Sequence, residues 1–493
     1  MGILCGMVVG LFRYALQKTE EIRNLYIAAA EQSVLLAVLG IVILVFLTLV
    51  IAFVLNREPL SSGSGIPQVK GEMKGKINAN WLQVIIAKFL GGIAALGAGL
   101  ALGREGPSIQ LGAMVGKGFS RLHNRLRTEE KMLMSCGAGA GLAAAFNAPL
   151  AGVVFALEEL HKNFSTEVLL SSMAAAISAN CVASSFFGLE PVFNFGEIGQ
   201  LPLPRYWTVV LLGIFLGAFG VFYNRMIAFM QDFYGKLNPK WLKAVVPFVW
   251  VLVLAFLWPE MLGSGHHLVG EVAEGHFELK ILALILVTKF AFSGFSFGTG
   301  APGGIFLPLL VLGSISGGLF TEAISPICGF EETYIGNFVI LGMAGYFSAI
   351  VRAPITGIIL ISEMTGSFNN LLALSIVSLV SYTTAEMLKG VPIYDQLLER
   401  MLSGNVPKKP KRTNKVLLES EVYLGAPVVG QTLAEVNLPE GCLVVSIVRD
   451  EREIVPGGGT ELEVGDRLVV LCDEYFVGKL EEILDGLCKT MLV

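Results

Sequence analysis

The residues best suited to chemistry in this sequence are a carboxylate set between glycines, in the segment Gly103–Pro107 (GREGP). Glycines let the backbone turn sharply there, and Pro107 suits the first turn of a following helix. The free N–H groups and the positive dipole end of that helix would point back at the loop and attract anions. Glu105 is itself a tethered anion beside this end. We therefore expect an anion site that Glu105 can occupy or vacate, which would make this acid a gate.

Three segments share the form Gly-x-x-x-Pro, namely Gly63–Pro67, Gly103–Pro107 and Gly304–Pro308. If each proline opens a helix, three helix N-termini can converge on one point. Each end carries a partial charge of about half a unit, which attracts an anion without trapping it as a buried Lys or Arg would. The alternative is three unrelated helix starts in a Gly-rich chain.

Further candidates are two hydroxyl groups and a pair of acids. Ser64 offers a hydroxyl at one of the helix starts, although a lone serine there is more often an N-cap. Tyr394 could donate its phenol O–H to the same ion or serve as an interfacial anchor. Glu158 and Glu159 end an apolar helix that begins near Pro149, and their spacing alone favours a solvated cap.

The elements that must position these residues are membrane helices. The 493 residues are 54% hydrophobic and only 15% charged, where a soluble protein would carry roughly 25% charge. Ser33–Leu55 is an uncharged run long enough to span a bilayer. Similar apolar segments recur at Trp207–Met230, Ala244–Trp258, Ile281–Phe292, Phe338–Ile361 and Leu371–Thr384. We predict an all-α polytopic membrane protein with discontinuous, Gly/Pro-broken helices.

An internal repeat organises the membrane part. Three landmarks of the first half reappear in the same order some 200 to 205 positions later. They are Gly63–Gly65 with Gly263–Gly265, Gly103–Pro107 with Gly304–Pro308, and Asn147–Glu158 with Arg352–Glu363. Two related halves, expected at about 33–230 and 240–402, would place a substrate site at their junction near mid-membrane.

A separate module comes after the membrane domain, which we place at residues 1–402. Residues 403–416 form a basic linker rich in Lys and Pro, which predicts a cytoplasmic location for the C-terminal module. Residues 417–493 carry 15 acidic and 5 basic side chains and alternate β-type runs, Cys442–Val448 and Arg467–Cys472, with turns. They end in a helical pattern at Tyr475–Leu487. This predicts a small α/β domain that is marginal alone and therefore paired.

Several weaker patterns predict no chemistry. The seven cysteines lack CxxC spacing, and the adjacent pair His266-His267 does not have the spacing of a metal site on one helix face. Gly298–Gly303 fits GxGxxG, but a βαβ context is missing. Lys88, inside an apolar run, is expected to snorkel or to pair, or else to add positive potential to an anion path. With no nucleophile–base–acid set and no phosphate loop, we do not expect an enzyme, a bound cofactor or a nucleic-acid partner.

Taken together, these motifs resemble the CLC family of chloride channels and transporters. The resemblance is carried by GSGIP at 63–67, GREGP at 103–107, GLAAAFNAPLAG at 141–152, GGIFLP at 303–308, VRAP at 351–354 and GVPIY at 390–394. It covers roughly residues 1–402. It implies an inverted-repeat helical bundle, a homodimer, and a separate anion pathway in each subunit.

The same resemblance implies roles for individual residues. The hydroxyls of Ser64 and Tyr394 would coordinate the central anion, together with the main-chain N–H groups of Ile305 and Phe306. Glu105 matches the external gating glutamate, and Glu159 matches the internal proton-transfer glutamate of the exchangers. Serine in GSGIP is similar to the chloride-preferring branch.

The tail resembles an RCK C-terminal (TrkA-C) domain, a regulatory module of bacterial ion transporters. The likeness is carried by VGQTL at 429–433 and GDRLVV at 465–470. It implies dimerisation and a small ligand at the interface, of which cyclic di-AMP is one example. Ile447, Arg449 and Arg452 are candidates to contact such a ligand, the alternative being that both arginines are solvated.

The sequence therefore favours a proton-coupled chloride antiporter of a bacterial plasma membrane, with a regulatory cytoplasmic tail. A passive chloride channel of the same fold is the first alternative. A cation transporter is a second alternative, suggested by the kind of tail, but the sequence shows no filter of acids or carbonyls for cations.

Overall fold

The structure is a computed structural model. It describes residues 1–30, 32–162, 164–196, 198–237, 242–275, 277–328, 334–403, 415–439, 441–449, 452–473 and 477–488. The chain divides into two compact units. The first comprises Met1–Val69 and Ala79–Glu399, and the second comprises Lys70–Asn78 and Arg400–Val493.

In the residues that the structure describes up to Phe187, the first half of the helical unit contains eight α-helices and one π-helical segment. The helices are α1 (Gly2–Ala30), α2 (Val34–Arg57), α3 (Ile66–Met73), α4 (Trp81–Gly97), α5 (Glu105–Leu122), α6 (Arg127–Phe146), α7 (Pro149–Phe155) and α8 (Thr166–Phe187). The π-helical segment, Ala156–His161, directly continues α7. The short helices α3 and α7 confirm that the bundle contains broken elements.

The second half repeats this series and adds one helix. Its members are α9 (Tyr206–Lys236), α10 (Leu242–Leu257), α11 (His266–Ala273), α12 (Leu279–Gly298), α13 (Phe306–Cys328), α14 (Ile335–Val351), α15 (Pro354–Thr365), α16 (Leu371–Met387) and α17 (Ile393–Ser403). Short 3₁₀ turns, Pro59–Ser61 and Pro259–Met261, precede α3 and α11.

The order of elements pairs α1–α8 with α9–α16, and the packing agrees with this pairing. α5 packs on α6 as α13 packs on α14, α6 on α8 as α14 on α16, and α1 on α8 as α9 on α16. This pairing puts α9 at the start of the second copy, whereas the sequence placed the halves at about 33–230 and 240–402. The difference arises because hydrophobic runs marked those halves, and the charged stretch Lys18–Arg23 conceals α1 from a search for such runs.

Each half contains a sharp break that hydropathy does not reveal. The apolar segment Phe338–Ile361 is two helices, α14 and α15, because Arg352 adopts a left-handed conformation with φ of 69° just before Ala353 and Pro354. Asn147 does the same in the first half, with φ of 56° before Ala148 and Pro149. Proline then starts the next helix because its missing N–H is not needed in the first turn.

Five helices are long and apolar enough to cross a membrane by length and composition, within the part of the chain that the structure describes. They are Val34–Arg57, Thr166–Phe187, Leu203–Lys236 (which includes a 3₁₀ turn before α9), Leu279–Gly298 and Phe306–Pro326. In α2, only Ile51 and Val54 are buried within the chain. Its remaining apolar surface suits contact with lipid, as expected of a multi-pass membrane protein.

In its described residues from Lys415 to Cys488, the second unit contains an antiparallel four-stranded sheet and one helix. The strands are β1 (Lys415–Glu421), β2 (Leu443–Arg449), β3 (Arg452–Ile454) and β4 (Arg467–Asp473), in the spatial order β1-β4-β2-β3. Helix α18 (Val477–Cys488) comes after β4. Ile447, Val470 and Leu480 are fully buried in its core. This confirms the predicted small α/β domain.

An ion pair ties β2 to the loop before β4. Arg449 donates from Nε and Nη2 to the two carboxylate oxygens of Asp466, both at 2.7 Å, and also pairs with Glu463. Burial of Asp466 raises the pKa of its carboxyl, but the bonds from Arg449 and from the Glu463 N–H outweigh burial, so the pKa lies below its usual range. Two parallel N–H···O bonds make this a geometrically specific pair.

We predict that Asp466→Asn destabilises this unit by about 2 kcal/mol, because Arg449 then loses its buried acceptor. The depressed pKa means that the stabilisation is present above the unfolded pKa of about 3.9 and is lost as pH falls through the lower folded value. Hydrogen exchange of β2 and β4 amides in the full-length protein measures both effects. Glu419→Gln is the control, since Glu419 and Arg467 are exposed and 4.0 Å apart. Equal protection in the two variants would contradict the role of Asp466.

Candidate anion site

The loops that precede α3, α5 and α13 are joined by main-chain hydrogen bonds. Gly103 and Gly304 exchange two of them, with N···O distances of 2.6 and 2.7 Å. The Gly63 N–H donates to Gly300 O at 3.0 Å, and the Gly303 N–H donates to Gly63 O at 3.0 Å. The starts of these three helices, two from the first half and one from the second half, therefore lie together.

This junction depends on a glycine at position 106. A Cβ at Gly106 would overlap Ser64 Oγ and would lie 2.7 Å from Ser64 O and 3.2 Å from Gly304 Cα. Real Cβ atoms do not approach backbone atoms at the first of these distances, so only glycine lets the three chain segments meet. The sequence pattern predicted a shared helix start, but this steric reason is visible only in the fold.

Three of the predicted side chains are buried and carry unused hydrogen-bonding capacity. Ser64, Glu105 and Tyr394 are all nearly or fully buried. Within the described part of the chain, Ser64 Oγ, Tyr394 Oη and both Glu105 carboxylate oxygens have no hydrogen-bond partner of good geometry. Orphaned buried hydroxyls are costly and call for a ligand that can accept a hydrogen bond.

Glu105 lies at the first position of α5, against the start of α13. The main-chain N–H groups of Glu105 and Leu307 lie near this carboxylate and interact with it electrostatically. Neither of them forms a hydrogen bond of good geometry with it. Arg104 Nε is 3.8 Å from Glu105 Oε1. The carboxylate thus occupies a place where positive partial charges from two helix N-termini meet.

The predicted main-chain donors stand at the start of α13. Ile305 immediately precedes this helix and Phe306 is its first residue, and both are fully buried. The N–H groups of a helix's first turn have no acceptor within the helix. The Phe306 ring packs against Phe146 and Phe347, with ring centroids 5.4 and 4.8 Å away, and this packing fixes the start of α13.

Two buried lysines hold the loops before α3 and α11. Lys88 Nζ donates to Ser61 O at 3.0 Å and to Gly63 O at 2.6 Å. Lys289 Nζ donates to Met261 O at 2.8 Å and to Gly263 O at 2.9 Å. Lys88 therefore does not snorkel. The sequence analysis missed the role of Lys289, although the position of this residue at the repeat spacing from Lys88 was a usable signal.

Glu159 is buried in the π-helical segment that continues α7. Tyr394 lies close enough to Glu159 and to Glu105 for their charges to act on its phenol group. Both acids therefore lie within electrostatic range of Tyr394. The neighbouring Glu158 instead binds the start of α15 in the other half.

A cavity of about 610 Å³ reaches the junction from one side, where Arg104 and Leu307 line it. Arg13, Arg23 and His266 contribute further basic groups, whereas Glu20 and Glu190 are its acids. A polar cavity with an excess of arginine raises the local concentration of anions. Among the described residues, no group of three or more His, Cys, Asp or Glu side chains could hold a metal ion.

The three candidate ligand residues of the tail occupy different environments. Ile447 is fully buried in the tail core, and Arg449 is engaged by Asp466 and Glu463. Arg452, in the edge strand β3, is exposed. Within this single chain, these residues do not form one accessible surface, because Ile447 packs in the core and Arg449 is held by Asp466 and Glu463.

Two family models match this chain. The one described as "Voltage gated chloride channel" matches residues 46–386, and the one described as "TrkA-C domain" matches residues 417–485. Because the first match covers more than half of its length, the chain belongs to the voltage-gated chloride channel (CLC) family. This membership confirms the resemblance seen in the motifs and makes the chain a multi-pass membrane transport protein.

Curated relatives carry the name H(+)/Cl(-) exchange transporter ClcA. The protein from Vibrio campbellii is 36% identical over 417 residues, which cover 82% of this chain and 89% of the relative. The protein from Vibrio cholerae is 37% identical over 420 residues, covering 82% and 88%. One from Yersinia pestis is 34% identical over 449 residues, covering 87% and 92%.

Solved structures support the same fold. A slow cyanobacterial Cl-/H+ antiporter superposes with a TM-score of 0.77 at 30% identity, covering 82% of this chain and 97% of that one. A eukaryotic CLC transporter superposes with a TM-score of 0.68 at 21% identity, covering 81% and 73%. The second likeness concerns the fold alone.

We predict that Gly106→Ala weakens chloride binding at least about tenfold and lowers thermal stability, because the new methyl group separates the α3 and α5 loops. Calorimetric titration of the detergent-solubilised protein with chloride measures the first effect, and thermal unfolding the second. Gly270→Ala is the matched control, since no described atom beyond its chain neighbours and its own helix backbone lies within 4 Å of where its Cβ would be. Unchanged chloride affinity in Gly106→Ala would show that the junction tolerates a side chain.

Proposed function

We propose that this chain exchanges chloride for protons across the membrane. The observation that carries the proposal is the junction itself, where the buried carboxylate of Glu105 lies at helix N-termini beside the unpartnered hydroxyl of Ser64. The unpartnered phenol of Tyr394 is near enough for the charge of Glu105 to act on it. The names of the curated relatives and of the cyanobacterial structure support the same exchange.

Chloride would be held by the two hydroxyls and by the main-chain N–H groups of Ile305 and Phe306. These donors carry partial charges only. A halide is therefore bound firmly enough to be selected and weakly enough to leave, which a transported ion requires. The amino groups of Lys88 and Lys289 are directed at main-chain carbonyls, so that they contribute to the structure of the loops instead of trapping the ion.

Glu105 would couple the two ions. Its ionised carboxylate competes with chloride for the same helix ends, and protonation removes this competition. Proton and anion binding are therefore linked, and each shifts the affinity of the other by the same factor. The arginine-rich cavity beside Arg104 gives anions access from one side.

Glu159 would supply the protons that reach Glu105. A buried acid that interacts with Tyr394 can pass a proton toward Glu105 through the interior of the bundle. This role separates the exchanger from a passive channel, because a channel has no use for a second buried acid. The passive channel stays the alternative candidate, since the anion site would serve it equally well.

The assembly and the tail belong to the same proposal. We place the chain in a bacterial plasma membrane, as a homodimer with one pathway per subunit and the tail in the cytoplasm, because the linker before the tail is basic. The tail would regulate transport by binding a small ligand between two copies. Cyclic di-AMP stays a prediction, and Arg452 is the exposed candidate to contact it among Ile447, Arg449 and Arg452.

We predict that Glu105→Gln abolishes proton movement while chloride still passes, since the amide cannot carry the proton. Purified protein in liposomes with a chloride gradient is scored by proton uptake and by chloride efflux. Exposed Glu167→Gln, in the first turn of α8, is the control and should behave as wild type. If Glu105→Gln still drives protons uphill, Glu105 is not the proton-coupled gate.

The same liposomes separate the exchanger from the channel. In the wild-type protein, the voltage of zero flux shifts with the pH gradient if protons are coupled to chloride. A voltage that depends on the chloride gradient alone would identify a channel and overturn the proposal.

We predict that Tyr394→Phe lowers chloride affinity about tenfold, which corresponds to one hydrogen bond to a charged group. Titration calorimetry of the purified protein measures the change. Tyr234→Phe is the matched control, because Tyr234 Oη is also buried and, within the residues that the structure describes, makes no hydrogen bond. Equal chloride affinity in the two variants would show that Tyr394 does not bind the anion.

A further inference from the structure

Two glutamates tie the halves of the bundle together by capping each other's helices. Glu158, beyond the end of α7, accepts hydrogen bonds from the first turn of α15, with Ile355 N at 3.2 Å and Thr356 N at 2.7 Å. Glu363, near the end of α15, accepts from the first turn of α7, with Leu150 N at 3.0 Å and Ala151 N at 2.7 Å.

The two caps are related by the internal repeat. Each acid and each of its amide partners is separated from its counterpart by the 205 positions that separate the two copies of this motif. A side-chain carboxylate at a helix N-terminus satisfies free N–H groups and interacts favourably with the helix dipole. Both acids are half-buried, so their bonds are less screened by water than those of a surface cap.

The reciprocal caps made by Glu158 and Glu363, which we call the clamp, hold the segment that carries Glu159 at both ends. Glu363 fixes the first turn of α7, and α7 runs directly into the π-helical segment Ala156–His161. Glu158 lies in that segment, one residue before Glu159, and is bound to α15. The backbone around Glu159 is thus anchored through Glu363 at the start and through Glu158 beside it.

The repeat also indicates which residue the clamp supports. The position that corresponds to Glu159 in the second half is Met364, so the clamp is symmetric whereas the buried acid exists in one half only. Glu158 makes one bond more than Glu363, because Thr356 Oγ1 donates to it at 2.7 Å and the corresponding Ala151 has no hydroxyl. The tighter cap is therefore the one adjacent to Glu159.

We propose that Glu158 and Glu363 are positioning residues for proton transfer, which hold Glu159 in the orientation from which it serves the pathway to Tyr394 and Glu105. Neither residue carries the transported proton. The inference rests on the proposed proton exchange, because it assigns a supporting role for that step.

The test varies Glu363, which is remote in sequence from Glu159, and measures the number of protons moved per chloride. In Glu363→Gln and Glu363→Ala, we expect the proton-to-chloride ratio to fall about fivefold, while chloride turnover stays within about twofold of wild type. Glu129→Gln is the matched control. Glu129 also accepts from a main-chain N–H, that of Leu126, but it caps α6 at an exposed turn.

Two results would overturn the proposal. One is an unchanged ratio in both Glu363 variants, as in Glu129→Gln. The other is an equal fall of proton and chloride transport, which would reveal a purely structural role. If the alanine variant does not fold, the glutamine variant decides, because it keeps the side-chain length and one acceptor oxygen.

A second measurement keeps this inference separate from the proposed function. Hydrogen exchange of the Leu150 and Ala151 amides should become about fivefold faster in Glu363→Gln, whether or not the protein moves protons. If the wild-type protein moves no protons, the proposed function fails while the cap is still measured by exchange. If exchange is unchanged, the clamp itself is refuted and the proposed function is untouched.

Discussion

A transported anion is held without being trapped by donors that carry partial rather than full charge, and the anion site that we propose at the centre of the molecule depends on this constraint. Such donors are available where helices begin, so several helix N-termini have to be brought to one point. The structure achieves this by pairing Gly103 with Gly304 and by bringing Ser64 against Gly106 at a distance that excludes a side chain. The broken helices, the Gly-rich loops and the prolines are the features that let these helix starts meet.

The two halves share a scaffold but differ in the residues that do chemistry. Structural groups are kept at corresponding positions, as with Lys88 and Lys289 on the loop carbonyls and Glu158 and Glu363 on the helix starts. The acids of the proposed exchange are not kept. The position of Glu105 corresponds to that of Phe306, and Glu159 corresponds to Met364. The repeat thus gives the two halves the same scaffold. The acids of the proposed exchange are present in the first half only, so the two halves would play different parts in transport.

The tail is stabilised in a different way. Its small sheet and single helix enclose a compact core, and the bidentate pair of Arg449 with Asp466 fastens β2 to the loop before β4. A domain of this size gains much from such a pair because its core is limited. The sequence offered Arg449 as a ligand contact, whereas the fold gives it an internal partner. That partner is Asp466, and no local sequence pattern connects it to residue 449.

The sequence by itself determined the family, the repeat and the identity of the loops, because the effects of glycine, proline and a lone acid in an apolar run on the chain depend on neighbouring residues. Helix starts, breaks and apolar spans are short-range properties, and the motifs around 64, 105, 159 and 394 could be recognised without coordinates. Only the tertiary structure decided which groups meet across about 200 residues of chain. The glycine contact at 106, the two lysines on carbonyls and the reciprocal caps of Glu158 and Glu363 are of this kind. Local spacing predicted a solvated cap for Glu158, and it could not predict the cap's target, because that target is the start of a helix in the other half.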